Sequence, residues 1–157
     1  MAPITQDLKV KALQRTPLFS ELSKKDLTTL ARLSEDVQVK PGTALCKEGQ
    51  IGREFFVIVD GQVDVLRNNK PVRRIGGDEF FGEIALLEDV RRTATVIAKT
   101  PVRAFILTSQ DFRQLVKDSP SVERKVLTSL AHRLAELSNE LLRRSPDLEQ
   151  EQYGYFV

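Results

Sequence analysis

The sequence predicts an α+β domain that is mainly β: short helices, then an antiparallel barrel or jelly roll of about eight strands, then further helices ending in a long one. Three observations carry this. Short β-branched or aromatic runs, broken by glycines and other turn residues, fill the chain from Val37 to Leu107. Apolar residues at helical spacing bracket that region on both sides. A length of 157 residues with 41% apolar content is that of one ordinary domain with a full core.

Residues 7–33 read as two helices. Leu8, Leu13 and Leu18-Phe19 precede a second segment with apolar positions Leu27, Leu30, Ala31 and Leu33. Ser23 followed by Asp26 marks the start of that second helix, because the hydroxyl accepts an orphan backbone N–H while the carboxylate sits at the positive helix end. The barrel is expected over 36–108. Its strands lie around Val37, Val39, Leu45, Phe55-Phe56-Val57-Ile58-Val59, Val63, Val65, Val72, Ile75, Val96-Ile97 and Phe105-Ile106-Leu107. Asp60-Gly61 is a hairpin-type turn signal and Arg67-Asn68-Asn69-Lys70-Pro71 a loop, so antiparallel pairing is expected around both.

Helical spacing returns over 109–144, with Ser109 as an expected cap before Phe112, Leu115 and Val116, and Pro120 in the first turn of the last helix. In that helix Leu127, Leu130, Leu134, Leu137 and Leu141 alternate spacings of three and four, an apolar seam of about two heptads. Such a seam is expected to be buried, on the barrel or on a second subunit. Residues 146–157, acidic and then aromatic at Tyr153, Tyr155 and Phe156, read as a flexible tail.

Composition excludes several functions. The 24 Lys plus Arg face 22 Asp plus Glu without a basic block, so no direct contact with nucleic acid is expected. One Cys and one His cannot assemble the usual zinc ligand sets, which leaves Cys46 as a small apolar filler and His132 as a surface or packing residue. No metal or cofactor is expected. The sequence shows neither a membrane-spanning apolar run nor a signal-peptide layout, and a cytoplasmic location is the expectation.

One segment breaks the strand pattern: Gly76-Gly77-Asp78-Glu79-Phe80-Phe81-Gly82-Glu83-Ile84-Ala85-Leu86-Leu87-Glu88-Asp89-Val90-Arg91-Arg92-Thr93. Gly82 permits a sharp turn or a close backbone approach. The five residues from Glu83 to Leu87 suffice for a single helical turn, whose free N–H groups favour an anion. Arg92 then supplies a guanidinium able to pair with a phosphate in a two-pronged manner.

The run Phe81-Gly82-Glu83-Ile84-Ala85-Leu86, then five residues, then Arg92-Thr93-Ala94-Thr95-Val96 resembles the phosphate-binding cassette of cyclic nucleotide-binding domains. Those are the modules of protein kinase A regulatory subunits, cyclic nucleotide-gated channels and the catabolite activator protein. Pro17-Leu18-Phe19, Leu22, Gly42, Glu48-Gly49, the Phe56-Val57-Ile58 to Gly61 stretch and Val63-x-Val65 resemble the same family's barrel, so the likeness runs over about residues 10–142. It implies a single such domain over 1–145.

By that resemblance Glu83 accepts from the ribose 2′-OH, Arg92 pairs with the exocyclic phosphate oxygens, and amides around Gly82, Ile84 and Ala85 complete the cradle. Thr93 lies beside phosphate and base, with Ala94 next to it. A cyclic phosphodiester carries one negative charge, which one arginine and a few amide dipoles neutralise. Arg91 stands where the family often has proline, and Glu79 adds a charge before Phe80-Phe81. Thr93 is compatible with cAMP, the favoured ligand, and with cGMP. The resemblance further implies a lid on the C-terminal helix, with Leu134, Leu137 and Leu141 as candidates and Leu107, Phe112 and Leu115 at its hinge.

The function expected is therefore a cyclic nucleotide sensor whose ligand moves the C-terminal helix against a partner, either an effector protein or a second copy of the chain. It is not an enzyme, since the groups that phosphodiesterase or cupin chemistry needs are missing. Two alternatives stand beside it: an interaction domain of the same fold that sees no ligand, or the regulatory fragment of a larger effector. Met1 suggests a natural start, and residues 143–157 are too few for a helix-turn-helix, kinase, pore or cyclase.

Overall fold

The computed structural model describes residues 3–144, so the tail expected at 146–157 lies outside the described residues. Four helices are α1 (Gln6–Arg15), α2 (Lys24–Leu33), α3 (Ser109–Asp118) and α4 (Pro120–Arg144), with short 3-10 turns at Pro17–Phe19 and Glu83–Leu86. Eight strands lie between α2 and α3: β1 (Glu35–Val39), β2 (Ala44–Cys46), β3 (Glu54–Asp60), β4 (Val63–Arg67), β5 (Lys70–Ile75), β6 (Phe80–Phe81), β7 (Thr95–Ala98) and β8 (Val102–Thr108). They pair antiparallel in two four-stranded sheets, in the orders β1-β8-β3-β6 and β2-β7-β4-β5. No ladder among the described strands joins the two sheets into a closed barrel.

The first sheet is covered on both faces, which explains the unbroken apolar run of β3. Phe55 and Val57 enter a core with Leu13, Phe19, Leu27, Leu30, Phe105, Leu107 and Phe112, beneath the helices. Ile58 points the other way, into a second core with Val63, Ile75, Val96, Ala98, Val102 and Ala104. Strand periodicity thus sends alternate residues of β3 and β8 to a helical layer and to the facing sheet. Phe19 anchors the helical layer, with its ring 5.7 Å from both Phe55 and Phe112.

Several boundaries follow from local chemistry. Ser23 Oγ accepts from the amide of Asp26 at 3.2 Å, as the sequence indicates. The cap of α3 is Thr108 rather than Ser109: its side chain accepts from the amide of Asp111 at 3.2 Å, and Ser109 is the first helical residue. The Asn68-Asn69 loop does close a hairpin between β4 and β5, both residues taking positive φ (52° and 64°). Asp60-Gly61 does not, because β3 and β4 belong to different sheets. Gly61, at φ 95°, turns the chain from one sheet to the other, where a Cβ would collide with the Pro101 oxygen.

The leucine seam of α4 is not buried by the described residues. Leu127, Leu134, Leu137 and Leu141 are 60%, 51%, 43% and 49% exposed. The buried stripe is instead Val122, Val126 and Ser129, set one step around the helix, with Ser138 also buried further along. It packs on Pro17–Phe19 and α3, and Leu130 alone belongs to both stripes.

Candidate nucleotide site

The cassette segment leaves β6 at Phe81, turns at Gly82 and forms the 3-10 turn Glu83–Leu86. Gly82 adopts φ 86°, left-handed backbone that disfavours side chains, and a Cβ there would lie 2.5 Å from Arg92 Nη1 and 2.9 Å from the Glu54 oxygen. The turn is anchored from beneath by Ala85 and Leu86, both buried, while Ile84 is exposed at its tip. Ala85 N–H donates to the Gly82 oxygen at 3.1 Å, so it is occupied within the turn. The amides that the turn itself leaves open are those of Glu83 and Ile84.

Arg92 is positioned by a short ribbon. Arg92 N–H donates to Gln50 O and Gly49 N–H donates to Arg92 O, each at 2.8 Å, and Gly52 N–H donates to Val90 O at 3.0 Å. The Arg92 side chain is only 10% exposed. Its Nη2 donates to the main-chain oxygen of Glu54 at 2.6 Å and lies 3.6 Å from Glu54 Oε2, while its Cζ stands 5.9 Å from the Phe56 ring centroid. A buried cation needs such compensation. Gly52 closes the slot: a Cβ on it would meet Arg92 Nε at 2.5 Å. Phe56 in turn stacks on Phe81 at 4.7 Å, tying β3 to the cassette.

Two cavities meet at this guanidinium. One of about 240 Å³ runs over the second sheet and is lined by Cys46, Val65, Phe81, Gly82, Arg92, Thr93 and Ala94, among others. The other, about 390 Å³, is lined by Gly82, Glu83, Ile84, Ala85, Val90, Arg91, Arg92 and Thr93. All seven residues nominated from the sequence, Gly82, Glu83, Ile84, Ala85, Arg92, Thr93 and Ala94, therefore line one cavity or the other. Taken together the two fall within the range of small-ligand pockets, about 300–1,000 Å³.

The lid candidates Leu134, Leu137 and Leu141 line neither cavity. From α4 it is Ser129, Leu130 and Arg133 that approach the cassette, bounding a void of about 50 Å³ with Pro17, Leu18, Phe80, Glu83 and Ile84. Of the hinge candidates, Leu107 and Phe112 are buried in the core, and Leu115 packs against it.

Both departures from the family pattern have local partners. Arg91 donates to the Gly49 oxygen at 2.7 Å, and Glu79 binds Arg73 at 2.9 Å while accepting from the Gly76 amide at 3.2 Å. Cys46, half-buried in the cavity wall, directs its thiol at the Ala94 oxygen at 3.8 Å. Burial pushes that thiol up from its ordinary value, against the opposing pull of the Arg92 charge. His132 lies on the exposed face of α4, 3.5 Å from Glu21.

Sequence reasoning missed Gly52, Glu54 and Phe56 as the walls of the Arg92 slot. Gly52 carried a signal, a glycine spaced three from Gly49 where no turn demands it. Glu54 carried none, because its contribution is chiefly a main-chain oxygen.

Comparison with known proteins places the chain in a family. The family model of the cyclic nucleotide-binding domain matches residues 36–119, and the chain belongs to that family. It is 37% identical to a cGMP-dependent protein kinase of Eimeria tenella over 110 residues, which is 69% of this chain and 11% of the kinase. It is 36% identical to a cyclic nucleotide-gated potassium channel of Rhizobium etli, covering 70% of this chain and 31% of the channel. The chain thus spans only a minor part of those relatives. Among solved structures, the N-terminal domain of a transcriptional regulator from Streptomyces coelicolor superposes with a TM-score of 0.74 at 28% identity, covering 82% of this chain and 93% of that domain.

Proposed function

We propose that this chain is a cyclic nucleotide sensor, a binding rather than a catalytic module, which takes cAMP in preference to cGMP and passes occupancy to its C-terminal helix. The observation that carries the reading is the Arg92 slot. A guanidinium held between Gly52 and Gly82, at the junction of two cavities and beside the open amides of the Glu83–Leu86 turn, suits a monoanionic cyclic phosphate. Glu83 lines the second cavity, where its carboxylate serves a ribose hydroxyl. The strand orders support reading the two sheets as a jelly roll.

Thr93 lines both cavities and suits either base, and no second guanine-reading residue stands out in the sequence, which favours cAMP. Coupling to α4 is supported by Leu130 and Arg133, which bound a void with Glu83 and Ile84. The exposed leucines 127, 134, 137 and 141 offer a face for the lid or for a partner, whether a cytoplasmic effector or a second copy.

The test is isothermal titration of the nucleotide-stripped protein with cAMP and with cGMP, beside an Arg92→Ala control. Micromolar or tighter binding that disappears in the control supports the sensor reading, and the tighter ligand decides the base preference. Neither heat nor thermal shift with either nucleotide would sink it in favour of a ligand-free interaction domain.

A further inference from the structure

Arg113 joins the cassette to α3 from outside the pocket. From the middle of α3 its Nε donates to the Leu86 oxygen at 3.3 Å and its Nη2 to Asp89 Oδ1 at 3.1 Å. Leu86 is the last residue of the 3-10 turn whose first residues line the second cavity, and Asp89 lies on the loop leading from that turn to Arg92. One side chain therefore holds both the C-terminal end of the turn and the loop that follows it toward Arg92. Among the described residues these are the only hydrogen bonds between α3 and residues 82–92. The carbonyl contact already sits at the long end of the hydrogen-bond range, so displacement of the turn away from α3 breaks it, whereas displacement toward α3 shortens it.

The grip contributes little to holding the fold together. The Arg113 and Asp89 side chains are 44% and 60% exposed, and exposed ion pairs are weak. Its information is directional: a bidentate guanidinium fixes the angle between turn and helix, which the apolar contact of Leu86 with the Phe112 core does not specify. α3 leads through Ser119 directly into α4, with the Val116 oxygen accepting from the Ser119 amide at 3.4 Å.

Resting on the nucleotide reading above, we propose that Arg113 is the positioning residue through which movement of the cassette turn reaches α3 and α4. It touches no ligand; its contribution lies in transmission. Occupancy of the pocket changes the Leu86 and Asp89 contacts together, and α3 follows.

Hydrogen-exchange mass spectrometry of the whole chain, with and without saturating cAMP or cGMP, tests this on the wild type, Arg113→Ala and Arg113→Lys. In the wild type, nucleotide alters exchange in both residues 82–92 and residues 109–144. Arg113→Ala keeps the cassette response but shrinks the helical response at least about fivefold, the lower range of allosteric coupling. Arg113→Lys, which retains the charge but lacks the planar fork that fixes the angle between the two acceptors, falls between. A full-size helical response in Arg113→Ala overturns the proposal while leaving the binding reading intact. Absence of any cassette response in the wild type overturns both. Should Arg113→Ala fail to fold, Asp89→Asn removes the charged half of the grip, and an undiminished helical response there also overturns it.

Discussion

Arg92 Nη2 donates to the main-chain oxygen of Glu54 at 2.6 Å, so the cation of the pocket is held by a backbone atom before any anion reaches it. A carbonyl orients the guanidinium without cancelling its charge, and the Glu54 carboxylate, 43% exposed and 3.6 Å away, is screened by solvent. On the nucleotide reading proposed above, that positive charge is the one an anionic ligand would meet.

Arg92→Ala removes the one guanidinium shared by both cavities. Charged hydrogen bonds contribute about 1.5–3 kcal/mol each, so loss of one corresponds to a Kd weaker by roughly 10- to 150-fold. Titration calorimetry reads this directly, and an unchanged Kd would remove Arg92 from the site.

Gly82→Ala damages pocket and fold together. Left-handed backbone costs a side chain about 1–2 kcal/mol, or about 2–8 °C in Tm for a domain of this size. The added methyl also meets Arg92 Nη1. Differential scanning fluorimetry should show the lowered Tm, with nucleotide binding lost; a wild-type melting curve would refute the backbone argument.

The N-terminal helix is pinned by Lys9, whose Nζ lies 2.7 Å from Asp36 Oδ1, while Asp36 Oδ2 accepts from the Ile4 amide at 3.0 Å. Desolvation pushes the Asp36 carboxyl up, but the bonds from Lys9 and Ile4 and the charges of Lys9 and Arg103 outweigh it and hold the group below its ordinary value of 3.8. The stability it contributes is therefore complete above pH 3.8 and is lost as pH falls through the lowered folded value. Urea midpoints of wild type and Asp36→Asn should differ at pH 7 and converge below that value; parallel curves would contradict the assignment.

Substituting Leu134, Leu137 and Leu141 with Gln should leave stability within about 0.5 kcal/mol, as exposed positions do. Val126→Ala, on the buried stripe of the same helix, should cost about 2 kcal/mol. Chemical denaturation separates the two. Sedimentation of the triple variant then shows whether the leucine face holds two copies together, since only an interface would lose mass.

How far the fold was legible depended on whether a signal was local. Ser23, the Asn68-Asn69 turn and the Phe55–Val59 run each carry their instruction within a few residues, and each lies where the spacing placed it. Asp60-Gly61 did not, because the same dipeptide serves a hairpin or a corner between sheets, and pairing with distant β8 decides which. The α4 seam failed for a related reason. Heptad spacing identifies a stripe, but the cover that decides its burial comes from Pro17–Phe19 and α3, which choose Val122 and Val126 instead. In the pocket, side chains that line it were readable, whereas the main-chain oxygen of Glu54 and the grip of Arg113 were not, since neither depends on a motif.

Cys46 adds a practical dividend. It is the chain's single thiol, and it stands in the wall of the cavity that Arg92, Thr93 and Ala94 share. A maleimide dye therefore labels one known atom without any engineering of the sequence. Burial pushes the thiol's pKa up, which lowers its thiolate fraction and slows that labelling. The rate becomes an occupancy meter: a molecule seated against Thr93 and Ala94 shields the sulfur, and a plain plate reader can rank a nucleotide library by the delay.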